Sequence, residues 1–216
     1  MTFKSRVKNA IRRLDKLSPY PVLYPFVMSK DEKVIFDEAI KESQHFLEFG
    51  MGGSSLRALQ KSKAKIYTVE SSTDWINQMR KYFIVKIFEN KRLYIFNVNI
   101  GPTGKWGYPT SDNDQNLFEA YSSNIFESID RKSIDLALVD GRFRVACTLK
   151  IILSCHENND LRILIHDFWN REHYHILLKY LDTVKQADSI GLFSIKNDVD
   201  LDSVEKDYEA YKLNPK

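Results

Sequence analysis

The sequence predicts an α/β fold, a doubly wound and mostly parallel sheet covered by helices on both faces. Three observations point there. Short apolar runs alternate with helical patterns along most of the chain, the order that winds a parallel sheet. The first of these runs, Phe46-Leu47-Glu48-Phe49, passes through Gly50-Met51-Gly52-Gly53 into Ser54-Ser55. That is a strand–loop–helix junction, where glycines let a ligand approach the backbone and a helix N-terminus faces it. The strand ends then carry an acid or an amide at each turn, namely Glu48, Glu70, Asn97 with Asn99, Asp140 and Asp167. In parallel sheets the ligand lies at those carboxyl ends.

Residues 3–17 place Phe3, Val7, Ala10, Leu14 and Leu17 at three- and four-residue spacing, the stripe of an amphipathic helix. Its other faces are basic: the first 17 side chains sum to +5, whereas the whole chain of 216 residues carries only +3. Two readings stand, a leading helix packed on the domain with its charges solvated, or an anchor drawn to anionic lipid. Ser18-Pro19-Tyr20-Pro21 ends the helix, because proline disfavours helix in the residue before it, and residues 22–28 read as a connector packed on the core. Residues 1–28 thus precede a domain expected to span 29–200.

Ser29 or Asp31 caps the next helix, with Val34, Ile35, Ala39 and Ile40 on its buried side. A first strand over 44–49 and a helix over 54–61 flank the glycine loop, and a second strand follows at 65–70. Residues 74–88 read as one helix with Trp75, Met79, Tyr82 and Phe83 inward, and 92–98 as the third strand. Between Gly101 and Asn116 lies a long segment with Gly104, Gly107, Pro102 and Pro109 and no periodicity. Loops of this length inside compact domains are commonly functional, and Trp106 and Tyr108 argue against plain disorder. A short helix at 117–125, a fourth strand at 134–140, a helix through Cys155, a fifth strand at 161–167 and a helix at 172–181 follow. Residues 183–187 and 192–196 form an antiparallel pair about Ser189-Ile190-Gly191, which brings the sheet to seven strands. Residues 201–216 read as a polar, partly frayed tail.

Composition excludes several classes. With 43% apolar and 28% charged residues, the chain suits one globular domain that buries its own core. Cys147 and Cys155 fall in a helical stretch, without disulfide-framework or metal spacing, which fits a reducing compartment. No apolar run approaches a membrane span and no secretion-signal core stands near residue 1, so the expectation is a cytoplasmic protein. Outside the first helix no basic stripe suits a nucleic-acid duplex, and no nucleic-acid partner is expected.

Glu70 stands twenty residues after Gly50, the spacing at which an acid after the second strand reaches ribose hydroxyls. Glu48 either steadies the loop or meets a ligand ammonium. Taken together, Glu48-Phe49-Gly50-Met51-Gly52-Gly53-Ser54, Glu70 and Asp140-Gly141 resemble the class I S-adenosylmethionine-dependent methyltransferases over residues 44–196. The resemblance implies a Rossmann-like methyltransferase fold with a C-terminal antiparallel hairpin and S-adenosyl-L-methionine as cofactor. It puts Gly50, Gly52, Gly53 and Ser54 along the methionine part, Glu70 with Ser71 at the ribose, and Asn99 or Asn97 at the adenine. A cationic sulfonium cofactor suits carboxylates at Glu48 and Asp140, whereas Glu48 would oppose a dinucleotide pyrophosphate. Ser55 also stands where the dinucleotide fingerprint needs its third glycine. An NAD-type oxidoreductase or epimerase is the alternative enzyme, and a non-catalytic binding module on the same fold is the alternative outside enzymology.

For the acceptor, Asp140 and Asp167 are similar to the pair that holds a divalent metal in catechol-type O-methyltransferases. Magnesium there would orient a hydroxyl and lower its pKa. The amide that follows the second acid in those enzymes is here Phe168, which weighs against a metal, and none is assigned. Without metal the catalytic set is Asp140, Asp167 and His166, with His173 a further candidate base. Arg142 and Arg144 either clamp a carboxylate or phosphate or are exposed charges at a helix start. The Gly-Pro-Thr-Gly-Lys-Trp-Gly-Tyr-Pro loop would close over the acceptor, with Trp106 stacking on a ring beside Tyr108. That loop and Val139-Asp140-Gly141-Arg142-Phe143-Arg144 resemble uncharacterised bacterial methyltransferase-like proteins. The expected reaction is O-methylation of a small or glycan-type, anionic acceptor. If residues 3–17 are the anchor, the protein sits peripherally at the inner membrane surface.

Overall fold

Apolar runs too short for helices supply the strands. In the computed structural model, which describes residues 3–216, these are β1 (His45–Phe49), β2 (Lys65–Glu70), β3 (Leu93–Asn97), β4 (Leu136–Val139), β5 (Arg162–Ile165), β6 (Leu181–Ala187) and β7 (Ile190–Ile195). They form one seven-stranded sheet in the order β3-β2-β1-β4-β5-β7-β6. β1 to β5 pair in parallel, and β7 runs antiparallel to both its neighbours. The chain proceeds outward from β1 through β2 to β3, then returns to lay β4 on the other side. A crevice therefore opens above β1 and β4, the switch point of a doubly wound sheet. The Phe49–Val139 pairing sets Gly50 beside Asp140 and Gly141 in that crevice.

The helices are α1 (Phe3–Lys16), α2 (Lys30–Glu42), α3 (Gly53–Lys61), α4 (Thr73–Met79), α5 (Phe83–Phe88), α6 (Glu119–Ser123), α7 (Arg144–Cys155) and α8 (Leu201–Tyr211). Alternate strand residues face opposite layers. Phe46, Ile66 and Leu138 pack with α2 to α5, while Leu47, Val69 and Val139 pack with α6, α7 and α8. Ser29 caps α2 in a capping box with Glu32. Phe36 is buried in that helix, and Val34, expected inside, is half exposed.

Four stretches differ from the sequence expectation. Residues 74–88 are two helices, because Tyr82 takes an extended backbone and turns inward, leaving Phe83 at the surface. Glu172–Lys179 is a 3-10 helix. Residues after 200 are no frayed tail: Asp200 caps α8, which packs on α7 through Val204 and Tyr208, and the Tyr208 hydroxyl meets Ser122 Oγ at 3.1 Å. One apolar pair at i and i+4 is enough to dock a helix that otherwise reads as polar. Finally, the described part of the α1 stripe does not pack on the domain, for Leu14 and Leu17 are 69% and 65% exposed; the Phe3 and Val7 side chains lie outside the described residues. No described helix is long and apolar enough to cross a membrane.

Tyr208→Ala should lower stability by about 3 kcal/mol, the cost of emptying a buried aromatic site. Urea unfolding measures this, and a change near zero would mean that α8 does not dock.

Candidate active site

Glu48 ends its strand beneath the glycine loop rather than facing it. Its two carboxylate oxygens accept hydrogen bonds from the Ser54 and Ser55 hydroxyls in the first turn of α3. Ser55 Oγ in turn accepts from the Gly52 N–H at 3.0 Å. Glu48 has no exposed surface, so it fastens the loop to the helix and does not reach a ligand. That corrects its assignment as a cofactor contact. Burial pushes its carboxyl up to about 7, against the hydrogen bonds from the two serines. Gly50 has φ of 101°, and a Cβ there would lie 2.7 Å from the Gly141 nitrogen. At Gly53 a Cβ would lie 2.1 Å from the Pro25 carbonyl oxygen, because the connector crosses the start of α3.

Above the loop is a cavity of about 710 Å³, bounded by Gly50, Gly52, Gly53 and Ser54, by Glu70 and Ser71, by the 104–108 loop, and by the ends of β4 and β5. That volume suits a nucleoside-sized ligand with a small partner. Glu70 Oε1 accepts from the Ser71 and Ser72 N–H groups, each at 2.8 Å, and the Met51 N–H of the glycine loop also supports its carboxylate. Burial raises the Glu70 pKa despite those bonds. Asn99 is exposed, accepts from the Gly101 N–H at 3.0 Å and does not line the cavity, and Asn97 is bound to Thr73. The expected adenine contacts are thus corrected. Asp74, Trp75 and Gln78 of α4 occupy that edge instead, with the Trp75 indole donating to the Met51 carbonyl at 2.6 Å. Their signal was the helix that directly follows Glu70, whose first turn faces the same crevice.

The β4 and β5 ends are joined by charge. His166 Nδ1 lies 2.9 Å from Asp140 Oδ1 and its Nε2 lies 3.5 Å from Glu32 Oε2. Glu32 also accepts from the Ser29 and Ser189 N–H groups and from the Ser189 hydroxyl. Burial lowers the His166 pKa, but the hydrogen bond and charge of Asp140, with the charge of Asp167, prevail and raise it overall. With both nitrogens engaged, His166 is not an open general base, which corrects that assignment; it holds Asp140 in place. Asp167 is held below the usual carboxylate range: burial opposes this, while Arg144, His166 and Arg171 outweigh it. Its Oδ2 meets Arg171 Nη2 at 2.8 Å and Arg144 Nη1 at 3.2 Å, so it is a paired anion rather than a base. His173 is exposed and lies outside the cavity.

The two arginines separate in role. Arg144 is buried, pairs with Asp140 and Asp167, and donates to the Gly141, Asp140 and His166 carbonyls, so it braces the strand ends and is no acceptor clamp. Arg142 is only 7% exposed, its Nε and Nη1 have no partner among the described residues, and its guanidinium sits 4.2 Å from the Tyr108 ring centroid. It is therefore not an exposed helix-start charge. A buried cation that finds no counter-ion among the described residues suits an anion from outside the protein.

Loop 101–116 is ordered by a Thr103–Pro109 bridge and a Gly104 N–H bond to the Tyr108 carbonyl at 2.7 Å. Trp106 projects from it, 70% exposed at the rim. Trp106, Phe143 and Asp167 all have positive φ (61°, 55° and 57°), and such left-handed non-glycine residues concentrate at ligand sites. The residues do not fit a divalent metal. Asp140 and Asp167 share Arg144, and His166 and Arg171 add further positive charge, so a metal would enter a site whose carboxylates are already paired. Phe168 is buried in the core and offers no ligand atom.

Because Glu48 holds its proton to about pH 7 when folded and an ordinary glutamate loses it near 4.5, stability from this group is full below pH 4.5 and lost as pH rises through 7. Glu48→Gln, always neutral, should gain about 2 to 3 kcal/mol on the native protein between pH 5 and pH 8. Parallel urea stability profiles for the two proteins would refute the burial of this carboxyl.

No protein-family model matches the sequence, and the comparison with curated proteins found no relative. Among solved structures, the chain is similar to a methyltransferase-like protein from Silicibacter pomeroyi, at 24% identity over 89% of this chain and 98% of that one, with a TM-score of 0.75. It is also similar to the S-adenosylhomocysteine-bound methyltransferase PaMTH1 of Podospora anserina (15% identity, 91% and 98% covered, TM-score 0.52). A third is a protein of Corynebacterium glutamicum (6% identity, 90% of each chain, TM-score 0.55). With β7 inserted antiparallel between β5 and β6, the chain has the Rossmann-like fold of the class I methyltransferases.

Proposed function

We propose that the protein is an S-adenosylmethionine-dependent methyltransferase that methylates a hydroxyl oxygen of a small or glycan-type acceptor bearing a carboxylate or phosphate. The observation that carries this reading is one cavity that brings together the glycine loop, the Glu70 carboxylate, the held carboxylate of Asp140 and the guanidinium of Arg142, whose Nε and Nη1 have no partner among the described residues. The bound S-adenosylhomocysteine of the Podospora methyltransferase supports the choice of cofactor.

When bound, the cofactor supplies an activated methyl group on a positive sulfur. The bare backbone of Gly52, where a side chain would meet almost nothing, admits it closely, and the Glu70 carboxylate is placed to accept from a ribose hydroxyl. Arg142 takes the anionic group of the acceptor in a forked hydrogen bond, and Trp106 covers its ring. Asp140 receives the proton that leaves the attacking hydroxyl. His166 and Arg144 both engage its Oδ1, so its other oxygen is left for the acceptor. The protein's contribution is alignment, exclusion of water and a positioned proton acceptor.

Calorimetry with S-adenosylhomocysteine should show binding that Glu70→Ala weakens at least about tenfold, the loss of one buried hydrogen bond to a carboxylate. Absence of binding to the native protein would refute the cofactor assignment, and binding with no turnover on any hydroxyl acceptor would favour the binding module. With a sugar acid or sugar phosphate as acceptor, Arg142→Gln should raise KM by about ten- to a hundredfold and leave S-adenosylhomocysteine affinity unchanged, whereas Asp140→Asn should lower kcat by about a hundredfold or more. If Arg142→Gln weakens cofactor affinity instead, the guanidinium serves the cofactor's own carboxylate.

A further inference from the structure

We infer that α1 and the connector behind it form a docking surface for an anionic lipid bilayer. The surface is apolar where a packed helix would be covered: Ile11, Leu14 and Leu17 are 51%, 69% and 65% exposed, and Tyr20, Val22 and Val27 are 70%, 77% and 73% exposed. Scattered exposed apolar residues are normal, but a run this dense in one short segment marks an interaction site. The segment is a built unit. The Asp15 carboxylate accepts from the Val22 N–H at 2.9 Å and from the Leu23 N–H at 2.7 Å, which folds the connector back on the end of α1. Lys16 lies over the Tyr82 ring at 5.0 Å and ties that end to the domain.

Charge selects the occupant. The first 17 residues hold a side-chain charge of +5 on a chain whose total is +3, with Arg12 and Arg13 among the exposed apolar residues. A second copy pairing through this face would set the same positive charge against itself, since a two-fold interface repeats one patch on both sides. An anionic bilayer meets both features: its surface attracts Lys and Arg, and its headgroup region accepts Leu, Ile, Val and Tyr to a shallow depth. Val27, with Pro25 and Phe26, also lines the cavity, so the docked bilayer lies beside its entrance. This surface is independent of the reaction proposed above.

The test is sedimentation of the full chain with phosphatidylcholine vesicles, with and without phosphatidylglycerol. The protein should partition onto the anionic vesicles and come off as salt rises past physiological strength. Leu14→Glu with Leu17→Glu should reduce the partition at least about tenfold, and Arg12→Glu with Arg13→Glu should remove its dependence on phosphatidylglycerol, both with the native thermal midpoint. No partition, or equal partition onto both vesicles, would overturn the proposal. So would a concentration-dependent dimer, seen by light scattering, that Leu14→Glu with Leu17→Glu disperses, because the face would then belong to a second copy.

Discussion

Arg144 sits where five groups need it. Its guanidinium lies between Asp140 and Asp167, which end neighbouring strands, and it also donates to three carbonyls that the sheet leaves free at those ends. Without it the two partly buried carboxylates would face each other with only His166 beside Asp140 and Arg171 beside Asp167 as close counter-charges among the described residues. A buried charge that loses its partner is costly, far beyond what the intact pair contributes to stability. The brace also frees other groups for work. His166 can be shared between Asp140 and Glu32, and Glu32 in turn ties the start of α2 to the β6–β7 turn. The far wall of the cavity is thus one charge network that reaches three separate parts of the chain.

Glu48 shows how a sound electrostatic argument can attach to the wrong group. A carboxylate beside a glycine loop would repel a pyrophosphate, yet this one is enclosed by Ser54 and Ser55 and presents nothing to the cavity. Discrimination against a dinucleotide enzyme comes from topology instead. The doubly wound dinucleotide sheet runs 3-2-1-4-5-6, whereas here an antiparallel strand is inserted before the last position. Ser55, the other departure from the dinucleotide pattern, has its reason in the same contact, since its hydroxyl is one of the two that bind Glu48.

The strands, the glycine loop and Glu70 were legible because period and spacing are local properties that burial then enforces. The terminal hairpin was legible for the same reason, but its turn is Asp188-Ser189, and Ile190 and Gly191, read as part of the turn, belong to β7. The roles of Arg142 and Arg144 were not. They stand two apart at a helix start, either side of the left-handed Phe143, and both reach the cavity wall; the contacts that separate them, Asp167 for Arg144 and Tyr108 for Arg142, come from distant parts of the chain. His166 was legible as a histidine beside an acid, but Glu32 at its second nitrogen comes from a distant helix and changes what the ring can do. Asn99 failed because a strand-end amide can equally close its own turn, as it does on Gly101. The helix at 201–211 hid behind composition, its docking resting on Val204 and Tyr208.

Gly53 carries a consequence for how such sequences diverge. A glycine in a nucleotide loop is ordinarily understood as space kept for the ligand. Here the space is filled by the chain itself, at the Pro25 carbonyl and the Phe26 Cα and Cβ. A side chain at Gly53 would therefore have to displace the connector before it could touch a cofactor, and a chain with its N-terminal segment routed elsewhere would not need the glycine for this reason.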